Sequence, residues 1–325
     1  MSIDRPVFVI GCPRSGTTLL TLMLSSHSRI AFPPETRFLL PVFRKHREYG
    51  DLREKRNRRR LARRVVRRKG TKFAHLGLDR TRVIKTIVNG PPSLGSALAV
   101  PFLLYAADRG KARWGDKRPG YVRHVEVLRA LFPDAQVVHI VRDPRDCVGS
   151  LARMPWWSHG TEGALATWVH AVDCATAARR KLPPDSFHEL RYEDLVTDPR
   201  GALTELCAFL GEDFEEAMLD HREVAAELPQ RQRERWHQET QGAVCSRRVG
   251  TYSGVLTPAE VALVEWAAGS RMARLGYDLL GSGPVTRGQR LGYWRAVTSL
   301  RLRTLLRSAR DRQLARPAGS VAARG

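Results

Sequence analysis

Val7 to Ile10 is an unbroken β-branched and aromatic run that stops at Gly11, the pattern of a short strand buried on both faces. A polar, glycine-containing stretch follows, Gly11-Cys12-Pro13-Arg14-Ser15-Gly16, and Thr17 to Leu24 then predicts a helix. Arg113 to Asp116 reads as a short strand, and Tyr121 to Phe132 sets Val122, Val125, Leu128 and Leu131 at helical spacing. Gln136 to Val141 is a second strongly apolar strand pattern. It runs into Arg142-Asp143-Pro144, where a proline at an early helical position marks a helix start. A long helical pattern covers 162–182, Phe187 to Leu190 reads as a strand, and Ala202 to Leu210 as a helix closed by Gly211. Pro258 to Leu275 predicts a helix with Thr257 as its cap. Strands and helices alternate from 7 to 211, which predicts an α/β fold with a central parallel sheet flanked by helices.

Composition narrows the partners. The chain has 325 residues, 42% of them hydrophobic, enough for a sizeable core. Its 55 Lys and Arg against 33 Asp and Glu give a formal charge of +22. Such a chain meets something anionic: nucleic acid, a membrane surface, or a phosphorylated or sulfated small molecule. Residues 53–69 hold eleven Lys or Arg in seventeen positions, with Leu61, Ala62, Val65 and Val66 at helical spacing. No aromatic residue interleaves with this basic helix and no nucleic-acid motif accompanies it, which argues against a nucleic-acid partner. From 284 onward the chain is Arg-rich. Leu291, Trp294, Val297, Leu305 and Ala309 share one broad helical face and Arg303, Arg307 and Arg310 another, a pattern suited to peripheral contact with an anionic membrane surface. Residues 317–325 read as a loose tail.

Five cysteines without a CxxC spacing speak against a disulfide framework or a zinc cluster and for a reducing compartment, the cytoplasm. The N-terminal residues lack a signal-peptide pattern, and no run of 18 apolar residues predicts a membrane span. The Arg- and Ala-rich composition points to a bacterium with a GC-rich genome.

The candidate chemistry starts in the first loop. Gly11 to Gly16 supplies the glycine frame of a Walker A loop, and Thr18 stands at the magnesium-binding hydroxyl position. Thr17 stands where the lysine of that loop belongs, which argues against a P-loop kinase of a small metabolite. Backbone N–H groups at a helix start still make an anion site, and Arg14 adds a fork-shaped cation.

The string Gly-Cys-Pro-Arg14-Ser15-Gly16-Thr17-Thr18 after an N-terminal strand resembles the 5′-phosphosulfate loop of the sulfotransferases. Their second hallmark, an arginine ending a central strand and a serine eight residues on, is matched by Arg142 and Ser150. The resemblance covers roughly residues 6–280. It implies a P-loop-like three-layer sandwich and a donor, 3′-phosphoadenosine 5′-phosphosulfate (PAPS), with its product PAP and no metal. It implies that Arg14 and the loop hold the phosphosulfate, and that Arg142 and Ser150 hold the 3′-phosphate. Pro34-Glu35-Thr36-Arg37 is similar to the segment of tyrosylprotein sulfotransferases that carries the proposed base, so Glu35 is the candidate base; His124 and His139 are its rivals. Asp116-Lys117-Arg118-Pro119 resembles the segment whose lysine meets the leaving oxygen, here Lys117. Arg191-Tyr192-Glu193-Asp194 resembles another family segment, which makes Tyr192 a donor contact and Asp194 a loop-fixing residue. Thr251 stands where relatives carry a basic residue that reaches the 3′-phosphate, so Arg247 or Arg248 is the substitute. The acceptor is a small molecule, a glycan, a lipid or a peptide tyrosine. On this reading 1–283 form the catalytic domain, with a basic helical insert at about 44–72, and 284–325 a basic, partly amphipathic C-terminal helix and tail. A non-catalytic anion- or nucleic-acid-binding protein is the alternative from another class.

Overall fold

The computed structural model describes residues 5–226 and 244–315. Five strands form one sheet: β1 (Val7–Gly11), β2 (Ile30–Ala31), β3 (Arg113–Lys117), β4 (Gln136–Val141) and β5 (Phe187–Arg191). Their order is β2-β3-β1-β4-β5 and every pairing is parallel. Fourteen helices accompany them among the described residues. The first seven are α1 (Thr17–Ser26), α2 (Leu39–Phe43), α3 (Lys55–Val65), α4 (Arg68–Thr71), α5 (Arg80–Asn89), α6 (Leu94–Ala107) and α7 (Val125–Leu131). The rest are α8 (Pro144–Ala152), α9 (Gly160–Lys181), α10 (Tyr192–Thr197), α11 (Pro199–Leu210), α12 (Arg222–Ala226), α13 (Pro258–Arg274) and α14 (Arg287–Ala315).

Both faces of the sheet are covered, as its continuous apolar strands require. Phe8, Ile10 and Val137 point into one core with Trp168 of α9, Phe102 of α6 and Val264 of α13. Val7, Val9, Val138 and Ile140 point into the other, with Leu20 and Met23 of α1 and Leu203 and Leu206 of α11. This is the three-layer sandwich expected of the sequence. Register places Val9 beside Lys117, Gly11 beside Ile140, and Val141 beside Arg191, so the strands end along one edge. Loops leaving that edge carry the site, as in other open α/β sheets.

Several boundaries differ from the sequence expectation, each for a local reason. The two-residue β2 is too short to show a period, and α5 and α6 were not anticipated. The 121–132 pattern divides into a 3-10 turn, Pro119–Arg123, and α7. In the basic run, α3 ends at Val65 and turns Leu61, Ala62 and Val65 inward against α5 and α6. Arg58 is buried with them, its guanidinium donating to the carbonyls of Val88 (2.8 Å) and Arg53 (2.9 Å). Asp143 caps α8 by accepting the Arg145 N–H, and Thr257 with Glu260 forms a capping box on α13.

The C-terminal helix corrects one expectation. Val297 does not share the face of Leu291, Trp294 and Leu305. Tyr293 and Val297 pack into the core where α14 lies on α9, while Leu291, Trp294, Leu302 and Leu305 are each more than half exposed. The side chains of Arg307, Ala309 and Arg310 and the tail at 317–325 lie outside the described residues, as do the first four residues.

Trp114 of β3 joins the aromatic centre of the larger core. It stacks on Phe102 at 4.7 Å and meets Phe8 edge-on at 5.8 Å. Trp114→Ala is expected to lower the unfolding free energy by about 3–5 kcal/mol. Urea denaturation checks this, and a loss below about 1 kcal/mol would contradict the packing described.

Candidate active site

The first loop turns the chain from β1 into α1 within six residues. A Cβ on Gly11 would meet the Ile140 carbonyl oxygen at 2.5 Å, so the backbone passes β4 as closely as glycine allows. Arg14 has a φ of 74°, a left-handed conformation that a side chain adopts at some cost. Ser15 closes the turn, its N–H (3.2 Å) and Oγ (2.8 Å) both donating to the Cys12 carbonyl. Gly16 has a φ of 96°, and a Cβ there would meet the Tyr192 ring at 2.4 Å. No side chain caps α1 and no acidic residue sits in its first turn. The amides of Thr17 and Thr18 therefore start a helix whose positive end faces the loop.

Arg14 Nε donates to Ser150 Oγ at 3.1 Å, joining the two sequence motifs directly. Arg142 leaves the end of β4 almost fully buried. It donates to the Arg14 carbonyl at 3.3 Å and to the Arg248 carbonyl. Its guanidinium lies 4.6 Å from the centre of the Tyr192 ring and 3.5 Å from Asp146. Its buried Nε has no hydrogen-bond partner. Burial pushes the Arg14 guanidinium below its ordinary value; Cys147 and Tyr192 act against this, and the charges of Arg142 and Arg248 add to it. Arg248 is itself exposed, with its charge in reach of the loop.

Two buried acids hold this arrangement, and the sequence reading missed both. Asp146 accepts the backbone N–H groups of Gly250 and Tyr252, each at 2.8 Å, and the Thr251 hydroxyl at 3.3 Å. Thr251 is thus a loop anchor. Glu193 accepts the Asp143 N–H at 2.9 Å and the Tyr277 hydroxyl at 2.8 Å. Asp194, expected to fix the loop, is exposed; its neighbour Glu193 does that work. The four-residue spacing from Arg142 to Asp146 was the one sequence signal available.

The third part gathers around Lys117, at the end of β3. Lys117 Nζ donates to Thr18 Oγ1 at 3.4 Å. The preceding Asp116 is fully buried, accepts the Tyr121 hydroxyl at 2.7 Å, and is pushed up to about 7 chiefly by burial. Burial also lowers Lys117, against the opposing pull of Glu35 and Asp116. Glu35 lies within 3.5 Å of both Lys72 Nζ and Arg37 Nε. Burial alone would raise its carboxyl; the charges of Lys117, Lys72, Arg37 and Arg118 outweigh that and hold it below the usual carboxylate range. Lys72 arrives from the end of the basic segment, pinned where the Arg37 N–H donates to the Thr71 carbonyl at 2.8 Å. The rival His139 is buried in β4 and pairs its Nδ1 with Glu189 at 3.0 Å, and His124 is buried at the start of α7.

The structure therefore brings Arg14, Ser150, Arg142, Tyr192 and the Arg248 backbone together, and Glu35, Lys117 and Thr18 beside one another. The fold resembles that of the sulfotransferase domain from the olefin synthase of Synechococcus PCC 7002, with a TM-score of 0.60 and 24% identity, over 86% of this chain and 98% of that one. The sulfotransferase domain from the curacin biosynthetic pathway is similar, with a TM-score of 0.57 and 22% identity over 86% and 100%. In sequence, the omega-hydroxy-beta-dihydromenaquinone-9 sulfotransferase of Mycobacterium bovis is 35% identical over 112 residues, 30% of this chain and 29% of that protein. The protein-tyrosine sulfotransferase of Drosophila melanogaster is 26% identical over 224 residues, 67% of this chain and 40% of that protein. The matches thus span less than half the length of these two relatives. The family model described as "Sulfotransferase family" matches residues 6–216, well over half of the chain. The chain belongs to the sulfotransferase family.

Proposed function

We propose that this protein moves a sulfuryl group from 3′-phosphoadenosine 5′-phosphosulfate to an acceptor hydroxyl, giving a sulfate ester and PAP. The observation that carries this reading is the Arg14–Ser150 hydrogen bond beside a buried Arg142 whose Nε has no partner. A buried cation with an unmet donor suits a terminal phosphate, which an arginine meets with parallel hydrogen bonds. Arg142, Ser150 and Arg248 would hold the 3′-phosphate, and Tyr192 would flank the nucleoside. Arg14, Ser15 and the amides of Gly16, Thr17 and Thr18 would hold the phosphosulfate. With Thr17 in place of a Walker lysine, the loop favours this anion over a triphosphate with magnesium.

Glu35, ionised, takes the proton from the acceptor hydroxyl as its oxygen forms the new bond to sulfur. The bond from sulfur to the 5′-phosphate oxygen breaks, and its electron pair stays on that oxygen. Lys117 and Arg14 stabilise the charge that collects there. Lys72 and Arg37 keep Glu35 ionised and aligned. Acceptors of the relatives named above include a hydroxylated menaquinone and protein tyrosine, so a lipid, a small molecule, a glycan or a peptide tyrosine fits the family. We infer a catalytic unit at 1–283 with its basic insert at 44–72, and a C-terminal helix and tail at 284–325, acting in the cytoplasm of a bacterium. No described helix is long and apolar enough to cross a membrane. The exposed Leu291, Trp294, Leu302 and Leu305 of α14, set among arginines, would instead rest on an anionic membrane surface.

Calorimetry with PAP, without metal, is expected to show tight binding that ATP and AMP do not match. Arg142→Ala should weaken PAP about a hundredfold, the worth of two charge-assisted hydrogen bonds. Magnesium-dependent ATP binding in place of PAP binding would overturn the reading in favour of a kinase. Glu35→Gln should keep PAP affinity within about twofold and lower turnover at least about a hundredfold. Glu35 supports the rate only while ionised, and its carboxyl is held below its ordinary value of 4.5. The acid limb of kcat/KM should therefore fall below about pH 4.5 and move upward in Lys72→Met, which removes one of the lowering charges. An acid limb unmoved by Lys72→Met would separate Glu35 from proton removal. For α14, cosedimentation with phosphatidylglycerol vesicles but not phosphatidylcholine vesicles is expected, lost in the variant carrying Leu291→Glu and Trp294→Glu; equal sedimentation of that variant would remove the membrane contact.

A further inference from the structure

One buried acid beside Lys117 has no part in the transfer described above. Asp116 is the penultimate residue of β3 and has no solvent exposure. Side chains alternate along a strand. Lys117 turns toward Thr18 of α1, and Asp116 turns to the opposite face, the one that carries Trp114, where it meets Tyr121. Both oxygens of its carboxyl are occupied. Oδ1 accepts the backbone N–H of Lys117 at 2.9 Å, and Oδ2 accepts the Tyr121 hydroxyl at 2.7 Å. Neither partner is a cation. Aspartate is almost never fully buried without a charged partner, and such groups concentrate at functional sites.

The bond to Tyr121 closes a turn. Lys117 pairs with Val9 at the end of the strand, and Arg118, Pro119 and Gly120 lead away from it. The Tyr121 N–H donates to the Arg118 carbonyl at 2.9 Å, and the Tyr121 hydroxyl reaches back to Asp116. Tyr121 is itself fully buried, its ring edge-on to Phe8 at 6.0 Å. The Lys117 backbone is thus held by the sheet on one side and by a core tyrosine on the other. Burial lowers the Lys117 ammonium, Lys72 adds to this, and the charges of Glu35 and Asp116 oppose it. Burial likewise pushes the Asp116 carboxyl up to about 7; Glu35 adds to the rise, and the Tyr121 hydroxyl, the Lys117 N–H and Arg118 act against it.

We infer that Asp116, bridged to Tyr121, is a positioning residue for Lys117: it grips the Lys117 backbone at the start of the turn and supplies the buried negative charge that keeps Lys117 cationic where it meets the leaving 5′-phosphate oxygen. This rests on the placing of Lys117 against that oxygen in the sulfuryl-transfer reading. Asp116 touches no reacting atom and acts through its neighbour.

PAP reports on Lys117, because its 5′-phosphate carries that oxygen. Adenosine 3′-monophosphate lacks the 5′-phosphate and serves as the control. Binding of both is followed by calorimetry across neutral and alkaline pH. Lys117→Met is expected to weaken PAP about tenfold, the worth of one charge-assisted hydrogen bond, and to leave the control unchanged. Asp116→Asn keeps the size of the side chain and its acceptor for the Lys117 N–H, and removes the charge. At about pH 6 the native carboxyl is protonated, and the variant should match the native protein within about twofold. Above about pH 7 the native carboxyl ionises and supports the ammonium. The variant cannot do so, its ammonium loses the proton at lower pH, and at about pH 9 it should bind PAP at least about threefold more weakly than the native protein. Tyr121→Phe removes a donor that favours the ionised carboxyl, so at about pH 8 it should follow Asp116→Asn; it carries the test if the asparagine variant does not fold. Identical PAP titrations of native protein and variants, a loss already complete at about pH 6, or an equal loss for adenosine 3′-monophosphate overturns the inference. If Lys117→Met leaves PAP binding unchanged, the placing of Lys117 fails and this inference with it. If Lys117→Met weakens PAP and Asp116→Asn titrates like the native protein, the role of Asp116 alone fails.

Discussion

Like charges crowded at the carboxyl edge of a parallel sheet impose the main constraint on this molecule. Arg14 and Arg142 are bonded through the Arg14 carbonyl, with Arg248 in electrostatic reach and the helix start of α1 adding its own positive end. Arg142 is nearly buried, and a buried cation is tolerated when carboxylates and carbonyls answer it. Asp146 and the carbonyls of Arg14 and Arg248 do so in part. The remaining positive charge is the feature on which the proposed phosphate site rests. On that proposal the cations are held together by the fold itself, so an anion would meet a site already arranged for it.

Small local features serve that arrangement. Tyr192 fits between Gly16 and Arg142 because Gly16 lacks a Cβ, so the ring at the end of β5 braces both the loop and the guanidinium. Asp146, one helical turn beyond Arg142, collects the amides of Gly250 and Tyr252 and so brings the 248–252 segment over the site. Glu193 does the same for Asp143 and Tyr277. Each acid accepts several hydrogen bonds, which is how a buried carboxylate is kept from becoming a cost.

The parts legible in the sequence are those whose information is local. β1, the loop and α1 are contiguous, and the nine residues from Arg142 to Ser150 are one strand end and one helix. Apolar runs buried on both faces announced β1 and β4, and with them the parallel sheet. What stayed hidden depends on distant approach. Lys72 reaches Glu35 across a whole basic segment, which composition alone presented only as a basic helix. Asp146 meets amides 104 and 106 residues away, and no spacing in the chain encodes that. Val297 was grouped with the wrong face of α14 because the helix carries apolar residues on two sides. One side joins the core through Tyr293 and Val297, and the other stays in solvent.

Those hidden parts also divide the molecule by role. The stretch matched to the family, 6–216, contains Arg14, Glu35, Lys117, Arg142, Ser150 and Tyr192. The turn at 250–252 and α14 lie beyond it. Arg142 and Lys117 sit at strand ends and Thr17 and Thr18 in the first helical turn, where the sheet register fixes their backbone. Ala296, Ser299, Leu300 and Arg303 belong to α14, which packs on α9 and not on the strands, so they lie outside the sheet. The phosphate-loop groups are therefore tied to the fold, while the side chains of α14 are free to vary.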